Sequence, residues 1–464
     1  MPKSFKIPDR SDFPLNFKFG SACSALQIEG ELNRKGAGLS NWEHFLRKKP
    51  VLQDLKMGNG FYEKFQEDLK IAKTLGLKEF RLSISWSRLQ LNGRGDLNHE
   101  GLDFYLNLLK SCQDLGLEPW VTLYHWDHPQ ALEEEGGWTN RDMVEAFSDF
   151  AEICMQLFSA YVSKWFIFNE PAVVAGAGHF LGVHAPGRKG MRNFLPCIHH
   201  ILLAQGRAFR RMKSIDSKAE IGTALSMMPV HVPSLKGSNL KANARVDALM
   251  NRLFLEPALG LDYPYEALPW LKKIKKYMEP NDKFEIQVDF DFIGVQTYTR
   301  LMVEHKWYIP FIKAQLKTAE SRGKLYNAMG WEIYPRAVYE VLVRLKSYKN
   351  LPPLYISETG IPLKDELQLG RVEDPKRVKY IKETLFFAKK AMHQGVDLKG
   401  IFFWSLTDNV EWIHGNKPRF GLVHVNYRTN ERTLKASAHW LKSWLGSKKS
   451  EFKQPATAVL GTRE

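Results

Sequence analysis

Eight short apolar runs recur along the chain of 464 residues and alternate with segments of helical periodicity. The runs are rich in Val, Ile, Phe, Tyr and Leu and mostly lack strict apolar–polar alternation, which is typical of strands buried on both faces of a parallel sheet. We predict strands at 17–22, 79–84, 119–123, 165–168, 220–225, 292–296, 354–356 and 401–404.

Amphipathic helical patterns lie between these runs. In segment 61–75, Phe65, Leu69 and Ala72 recur at helical spacing, and Gly76 follows where a helix would end. Similar patterns predict helices over 102–115, 143–161 and 375–392. Eight strands alternating with helices in one uninterrupted chain indicate an α/β protein with a (β/α)8 TIM barrel. A doubly wound α/β sheet is the alternative, but no G-x-G-x-x-G or P-loop motif follows any run.

The composition is that of a globular protein, with 44% hydrophobic and 25% charged residues, which is ample for a large core. Length alone would suggest three domains, but α/β barrels run longer than the average domain. No linker-like composition divides the chain. We therefore expect a single catalytic barrel domain over residues 1–464, with a short basic tail after about residue 445.

The chain is basic, with a formal net charge of +15 from 66 basic and 51 acidic residues. The basic residues are scattered, apart from local clusters such as Lys272-Lys273 and Lys275-Lys276. We find no zinc-ligand spacing, no RNA-binding aromatic signature and no long basic arm. We interpret the charge as a solvated basic surface and expect no nucleic-acid and no membrane partner. Attraction to nucleic acid or anionic surfaces is the alternative.

The cysteines and the amino terminus bear on the compartment. Four cysteines (Cys23, Cys112, Cys154 and Cys197) are widely spaced without a C-x-x-C motif, so we expect neither a disulfide framework nor a metal site. The first ten residues contain no apolar signal-peptide core, and no stretch is long and apolar enough to span a membrane. A cytoplasmic location is therefore the default expectation.

Two of the apolar runs lead into a glutamate within a short polar motif. The motifs are Asn169-Glu170-Pro171 and Ser357-Glu358-Thr359-Gly360. A buried carboxylate is costly unless it is paired or hydrogen-bonded. Active sites of (β/α)8 barrels lie at the carboxyl ends of the strands. The two motifs therefore suggest an acid and a nucleophile that face one substrate.

Polar and aromatic residues also follow the other predicted strands. They include Gln27, Arg81, His125, Trp126, Tyr298, Trp404, Glu411 and Trp412. Amides, carboxylates and an imidazole can donate to and accept from hydroxyls, and indoles offer flat apolar faces. The set contains no Gly-rich phosphate cradle and no His/Cys metal cluster, so it suits an uncharged, polyhydroxylated ligand.

Such a set fits a retaining glycosidase, in which one carboxyl protonates the leaving oxygen and the other attacks the anomeric carbon. The two carboxyls should then lie about 5–5.5 Å apart. Arg81 is the nearby cation that could keep the nucleophile ionised, and Tyr298 could donate a hydrogen bond to it. Asn169 could bind the 2-hydroxyl of the sugar.

The chain resembles glycoside hydrolase family one, the retaining β-glucosidase and β-galactosidase family, from about residue 17 to 437. The matching segments include 19–22 (FGSA), 27–30 (QIEG), 80–88 (FRLSISWSR), 122–127 (TLYHWD), 168–171 (FNEP), 184–187 (HAPG), 329–335 (MGWEIYP), 404–412 (WSLTDNVEW) and 419–422 (RFGL). One such motif would be weak evidence, but this many in the same order are highly specific.

The resemblance implies a single barrel, no cofactor and no metal, with Glu170 as acid/base and Glu358 as nucleophile. It implies Arg81 and Tyr298 as partners of the nucleophile, with Tyr298 also among the substrate-binding residues. The implied glycone subsite consists of Gln27, His125, Trp126, Asn169, Trp404, Glu411 and Trp412, and Trp331 falls on the aglycone side. The implied substrate is a small-molecule β-glycoside or oligosaccharide, from which terminal β-D-glucose, and also β-galactose or β-fucose, is released.

Three other functions stay open at this point: a 6-phospho-β-glycosidase, a transglycosylase, and a sugar-binding relative without catalysis. Glu411 would repel a phosphate, and both glutamates are present. Glu29 and Asp127 are set aside as structural.

Several positions depart from the pattern of the family, namely Ile167, Ala172, Ser226, Gln296-Thr297 and Thr359. Ala172 and Ser226 would reshape the aglycone side. The sequence predicts neither the preferred sugar epimer nor the oligomeric state.

Overall fold

A computed structural model of the protein describes residues 6–30, 36–49 and 58–447. In this part of the chain, eight parallel strands form a closed barrel, which confirms the predicted fold. The barrel strands are β1 (Lys18–Ala22), β2 (Glu79–Ser83), β3 (Glu118–Tyr124), β4 (Lys164–Asn169), β5 (Glu220–Ser226), β6 (Phe292–Gln296), β7 (Leu354–Thr359) and β8 (Leu398–Trp404). Each strand pairs with the next, and β8 closes on β1 with Trp404 opposite Ala22.

Helices connect the strands on the outside of the barrel. The longer ones are Phe61–Thr74, His99–Asp114, Asp142–Phe158, Met191–Ile215, Gly237–Asp247, Ala337–Leu345, Pro375–His393 and Ala436–Gly446. Four of them correspond to the predicted helices with shifted ends. The helix predicted over 102–115, for example, begins earlier at His99. The predicted basic tail lies largely outside the described residues.

Shorter elements lie mainly in the loops. Short α-helices are Ala25–Ile28, Asn41–Arg47, Trp86–Leu89, Gln130–Glu134, Pro171–Val173, Leu255–Ala258 and Asp282–Glu285. Helical turns of other types are Arg10–Asp12, Gly137–Thr139, Val174–Leu181, Ala248–Arg252, Pro269–Tyr277, Glu320–Arg322 and Trp412–His414. Two small sheets contain Val230–His231, Leu301–His305 and Ala314–Leu316, and Val423–Asn426 with Glu431–Leu434.

Aromatic side chains fill the inside of the barrel. Trp120 lies with its ring centroid 5.0 Å from Phe402 and 4.8 Å from Tyr355, and Phe166 lies 5.0 Å from Phe292. At Gly20, an added Cβ would lie 2.5 Å from the Phe402 ring, so the strand has no room for a side chain there. The interior is therefore a packed core rather than a pore, and in such barrels the active site lies at the carboxyl ends of the strands.

The four cysteines are free and buried. Over residues 6–30, 36–49 and 58–447, no helix has the length and apolar character needed to cross a membrane.

Candidate active site

Three of the predicted site residues have left-handed backbone conformations. The φ angles are 48° at Glu170, 80° at Trp126 and 45° at Trp412. Glu170 directly follows β4, and its backbone N–H still donates to the Ala224 carbonyl oxygen at 2.8 Å. Side chains other than glycine rarely adopt this conformation, and the packing around them must hold it in place. Such strain is concentrated at functional sites.

Arg81 connects the ends of four strands. Its Nη1 donates to Glu358 Oε1 at 2.5 Å, and its Nη2 donates to Asn169 Oδ1 at 2.5 Å. Its Nε donates to Thr122 Oγ1 at 3.1 Å, and the guanidinium lies 4.4 Å from the centroid of the Phe166 ring. Arg81 is fully buried. The planar guanidinium thereby holds the two motifs of β4 and β7 in one network.

Donors surround both carboxylate oxygens of Glu358. Besides Arg81, Gln296 Nε2 lies 2.6 Å from Oε1, and the Tyr298 hydroxyl donates to Oε2 at 2.6 Å. Arg81 and Tyr298 therefore lie where the sequence predicted partners of this carboxylate. Gln296, which was noted only as a departure from the family pattern, also lies 2.6 Å from Asn169 Oδ1. Its position at the end of the predicted strand 292–296 was the sequence signal that could have found it, and the β6–β7 register then places it opposite Glu358.

Asn169 sets the tautomer of His125. Its Oδ1 accepts from Arg81 and Gln296, so its Nδ2 is the atom that donates to His125 Nε2, at 3.1 Å. Nε2 is therefore an acceptor, and Nδ1 carries the ring proton. Nδ1 is buried and has no hydrogen-bond partner within the described residues. Burial, followed by the Arg81 charge, lowers the pKa of His125 well below its usual value, so the ring is neutral.

Three carboxyl groups of the site have raised pKa values. Burial and the negative charge of Glu358 raise the pKa of Glu170 to about 8, although a hydrogen bond with Ser226 opposes this. Burial and Glu358 also raise the pKa of Glu411 to about 8. Burial raises the pKa of Glu358 too, against the opposing effects of Arg81 and Tyr298. Glu170 therefore keeps its proton at neutral pH, and Glu358 is the carboxyl whose partners favour ionisation.

Indole rings form one wall of the site. Trp412 stacks on Trp126 with ring centroids 4.5 Å apart and packs against Trp42 at 4.4 Å. Trp404 lies nearly parallel to the His125 ring at 5.8 Å. Trp42 was not predicted as part of this wall. The stacked rings offer the flat apolar surface that the C–H face of a sugar can contact.

Gln27 and Glu411 lie where the first short helix meets the loop after β8. Gln27 is buried, and its Nε2 donates to the Val410 carbonyl oxygen at 2.8 Å and lies 3.3 Å from Asn409 Oδ1. Its Oε1 accepts from Ser24 Oγ at 2.6 Å. In the described part of the chain, no side chain pairs with the Glu411 carboxylate, which therefore has free acceptor positions.

Other polar residues near the site have structural partners. Glu29, which we set aside, accepts from Arg88 Nε and from the Tyr105 hydroxyl, both at 2.8 Å. Asp127 accepts from Ser85 Oγ at 3.1 Å. The Thr359 hydroxyl, beside Glu358, donates to the Thr297 carbonyl oxygen at 3.1 Å. Thr359, which departs from the family pattern, is therefore accommodated by a hydrogen bond to the backbone that follows β6.

The predicted aglycone-side residue, Trp331, is half-buried and lies 5.7 Å from the Tyr298 ring. No group of three or more His, Cys, Asp or Glu that could hold a metal ion occurs in residues 6–30, 36–49 and 58–447.

Comparisons with known proteins show the family of this chain. The family model described as Glycosyl hydrolase family 1 matches residues 9–450. Beta-glucosidase A of Acetivibrio thermocellus is 39% identical, over 93% of this chain and 97% of its own. The 6-phospho-beta-glucosidase GmuD of Bacillus subtilis is 34% identical, over 93% of this chain and 97% of its own. The beta-glucosidase from Thermotoga maritima in complex with glucoimidazole matches with a TM-score of 0.88 and 35% identity, over 93% of this chain and 98% of that one.

A parallel (β/α)8 barrel with two buried glutamates at strand ends is compatible with a glycoside hydrolase, and the matches to proteins of that class show that the chain is one. The match over nearly the whole length narrows the assignment from this class of enzyme to one family. The chain belongs to glycosyl hydrolase family 1, as the motifs of its sequence predicted.

Proposed function

We propose that the protein is a retaining β-glycosidase that releases terminal, non-reducing β-D-glucose, and also β-galactose or β-fucose, from small-molecule β-glycosides. The observation that carries the proposal is the unequal environment of two buried glutamates. Glu358 accepts from Arg81, Gln296 and Tyr298, whereas the pKa of Glu170 is raised to about 8. Two carboxyls with separated tasks are what double displacement requires.

In the first step, Glu358 attacks the anomeric carbon while Glu170 donates its proton to the glycosidic oxygen. The bond from carbon to the aglycone oxygen breaks as the ester bond to Glu358 forms. Arg81 and Tyr298 hold the carboxylate in place for this attack. The aglycone leaves as a neutral alcohol.

In the second step, Glu170 acts as a base. Once Glu358 is esterified it carries no charge, so the repulsion that raised the pKa of Glu170 is gone and its pKa falls. The ionised Glu170 takes a proton from water, and the water oxygen attacks the anomeric carbon. Glu358 leaves as a carboxylate, and two inversions give net retention.

The sugar would be held by hydrogen-bonding capacity that the protein leaves unused. Asn169 Nδ2 uses one of its two hydrogens on His125, so the other can bind the 2-hydroxyl. His125 Nδ1, which has no hydrogen-bond partner among the described residues, is a neutral donor. Gln27 Nε2 is occupied by two acceptors, so Gln27 can contribute only as an acceptor through Oε1. Glu411 would accept from further hydroxyls.

The aromatic residues would contact the apolar parts of the substrate. Trp126, Trp404 and Trp412 would stack on the glycone. On the aglycone side, Trp331 would provide a partly exposed ring beside Tyr298. Ala172, close to Glu170, would leave room there for a bulky aglycone.

Chemical rescue tests the two roles separately. Wild type should hydrolyse aryl β-glucoside, β-galactoside and β-fucoside, and Glu358→Gly and Glu170→Gly should not. With a dinitrophenyl β-glucoside and added azide, Glu358→Gly should form the α-glucosyl azide, because azide attacks from the side of the missing nucleophile. Glu170→Gly should form the β-glucosyl azide from the glycosyl-enzyme. The same azide anomer from both variants would overturn the assignment.

A second substrate class, 6-phospho-β-glycosides, is suggested by the similarity to GmuD. Glu411 speaks against it, because among the described residues it has no paired cation and offers a phosphate no positive charge. Comparing phosphorylated with plain aryl glucosides at equal concentration decides between them. Product analysis with an added alcohol acceptor measures transglycosylation.

We further propose that the chain acts as one catalytic domain in a reducing, cytoplasmic environment. The four free, buried cysteines support this compartment.

A further inference from the structure

We propose that the protein docks on anionic lipid bilayers through segments 269–277 and 306–313, which we call the docking strip. The strip lies at the catalytic end of the barrel. Resting on the proposed function, we infer that docking gives the site access to β-glycosides whose aglycone is embedded in the bilayer. This differs from the expectation of no membrane partner that the sequence suggested.

The first half of the docking strip is the tip of a hairpin. Strands Leu301–His305 and Ala314–Leu316 form its arms, and residues 306–313 connect them. At the tip, Trp307 is 78% exposed and Tyr308 is 60% exposed, and Phe311 is also exposed. Large aromatic side chains rarely cluster in water without a binding role. Trp and Tyr are the residues preferred at the boundary between lipid headgroups and hydrocarbon.

The second half supplies positive charge. The helical turn Pro269–Tyr277 carries four exposed lysines, Lys272, Lys273, Lys275 and Lys276, and no acidic residue. None of these lysines forms an ion pair with another described residue. Segment 306–313 adds Lys306 and Lys313 and no acidic residue, and Lys306 pairs with Glu304 at 3.2 Å. The four lysines of Pro269–Tyr277, which have no ion-pair partner among the described residues, complement anionic headgroups beside the exposed aromatic rings.

The two halves are packed against each other through aromatic rings. The ring centroid of Phe311 lies 6.1 Å from that of Trp270 and 6.1 Å from that of Phe180. Phe180 belongs to the turn Val174–Leu181, which follows Glu170 closely along the chain. The hairpin is thereby attached to the loop that begins at the proposed acid/base residue.

The base of the hairpin is attached to the other side of the site. Arg300, just before the first arm, pairs with Glu332 at 2.8 Å, and Glu332 is the neighbour of Trp331. Thr299 Oγ1 donates to the Glu332 carbonyl oxygen at 2.8 Å. A bilayer in contact with the docking strip would therefore lie next to the aglycone side of the site.

The geometry favours a membrane over a nucleic acid. Single-stranded nucleic acids bind in basic grooves where bases stack on aromatic platforms. Here the exposed rings of Trp307 and Tyr308 are at the tip of a hairpin, and lysines flank them. This arrangement suits shallow insertion of the aromatic residues, with lysines at the headgroups.

Cosedimentation of the full chain with vesicles tests the proposal. Wild type should pellet with phosphatidylcholine vesicles that contain about 30% phosphatidylserine, less so at high salt, and not with phosphatidylcholine alone. Trp307→Ser/Tyr308→Ser and, separately, Lys272→Glu/Lys273→Glu should each weaken binding at least about tenfold.

Matched controls lie outside the docking strip. Phe284→Ser removes another aromatic side chain, which is 74% exposed, and Lys376→Glu/Lys379→Glu reverses two exposed charges on helix Pro375–His393. Both should bind vesicles like wild type. No binding of wild type, equal losses in the controls, or preference for a single-stranded oligonucleotide over vesicles would overturn the proposal.

Activity measurements separate this proposal from the proposed function. The strip variants should hydrolyse a soluble aryl β-glucoside at the wild-type rate. They should lose at least about tenfold on a glucosylated lipid held in anionic vesicles, in line with their weaker binding. Failure of wild type on the soluble glucoside would refute the function, whereas equal rates of all variants on the vesicle substrate would refute the docking strip's role in substrate access.

Discussion

Two clusters of buried charge in this barrel differ in their charge balance. One joins segments after β7 and β8 and contains three acids and three cations: Asp365, Asp374, Asp408, Arg377, Arg419 and Lys435. The other is the candidate active site, where the acids are Glu170, Glu358 and Glu411. Among the described residues, Arg81 is the one cation that acts on Glu170 and Glu358, and none acts on Glu411.

In the balanced cluster, each charge has a close partner. Lys435 Nζ lies 2.6 Å from carboxylate oxygens of both Asp365 and Asp408, and Arg419 Nη1 lies 2.9 Å from Asp408. Burial alone would raise the pKa of Asp408, but Lys435 and Arg419 hold it below its usual value. Such a group favours the folded state at neutral pH.

In the active site the same burial acts without enough cations, and the pKa values of Glu170 and Glu411 are raised to about 8. Ionising these groups costs folding free energy. The comparison teaches that burial alone does not identify a functional carboxylate. An excess of buried acids over cations at the ends of barrel strands points to one, because perturbed pKa values are concentrated at functional sites.

The largest expected effect comes from removing the nucleophile. Glu358→Gln should lower kcat on an aryl β-glucoside by at least about 10⁴-fold, because amide nitrogen and oxygen cannot form the glycosyl ester. Steady-state kinetics and circular dichroism measure the loss and confirm folding. Asp408→Asn is the matched control, since its folded fraction should keep the wild-type kcat. If folded Asp408→Asn were as inactive as Glu358→Gln, the assignment of catalysis to one cluster and of stability to the other would be wrong.

Removing a charge from the cluster of three acids and three cations should lower the stability of the protein. Asp408→Asn leaves Lys435 and Arg419 short of a partner and should lower the free energy of unfolding by about 3–5 kcal/mol at pH 7. The wild-type contribution is present above the usual aspartate pKa and is lost as pH falls through the lowered pKa of Asp408, so the two proteins should converge in acid. Urea unfolding at several pH values measures this. A pH-independent difference would contradict it.

In the active site, neutralising an acid should increase the free energy of unfolding, the opposite of the effect expected at Asp408. Glu170→Gln should raise the free energy of unfolding by about 1–3 kcal/mol near pH 7. The folded protein holds this proton up to a pKa of about 8, whereas the unfolded chain releases it at about 4.3. The free energy of unfolding of the wild type therefore decreases as pH rises from about 4.3 to about 8. The gain should therefore vanish near pH 4. If Glu170→Gln instead lowered the free energy of unfolding at pH 7, the claim that the Glu170 carboxyl costs folding free energy would be wrong.

The smallest expected effect concerns Ser226. In wild type, kcat/KM should fall as pH rises through about 8, because Glu170 loses the proton that it must donate. The hydrogen bond with Ser226 lowers the pKa of Glu170, so Ser226→Ala should move this basic limb to higher pH. Thr359→Val, whose hydroxyl bonds to Thr297 and Tyr380 behind the strand, should leave the limb unmoved. Equal shifts in both variants would argue against a direct effect on Glu170.

Much of the fold could be predicted because its signals are local. The run 292–296 matches β6 in both bounds, and the run 354–356 marks the start of β7. The strand continues through Glu358 to Thr359, because pairing with β6 and β8 extends it past the apolar residues. The hairpin at 301–316 was not predicted, since its amphipathic pattern is short and lies outside the barrel repeat.

The sequence by itself determined the strand–helix order and the chemical groups at the strand ends, because periodicity and motifs are written in neighbouring residues. Only the tertiary structure decided how those groups behave. Arg81 meets Glu358 across 277 positions of chain, and Gln296 joins them through strand register. The protonation of Glu170, the tautomer of His125 and the imbalance of charge depend on burial and through-space distance, which no local pattern contains.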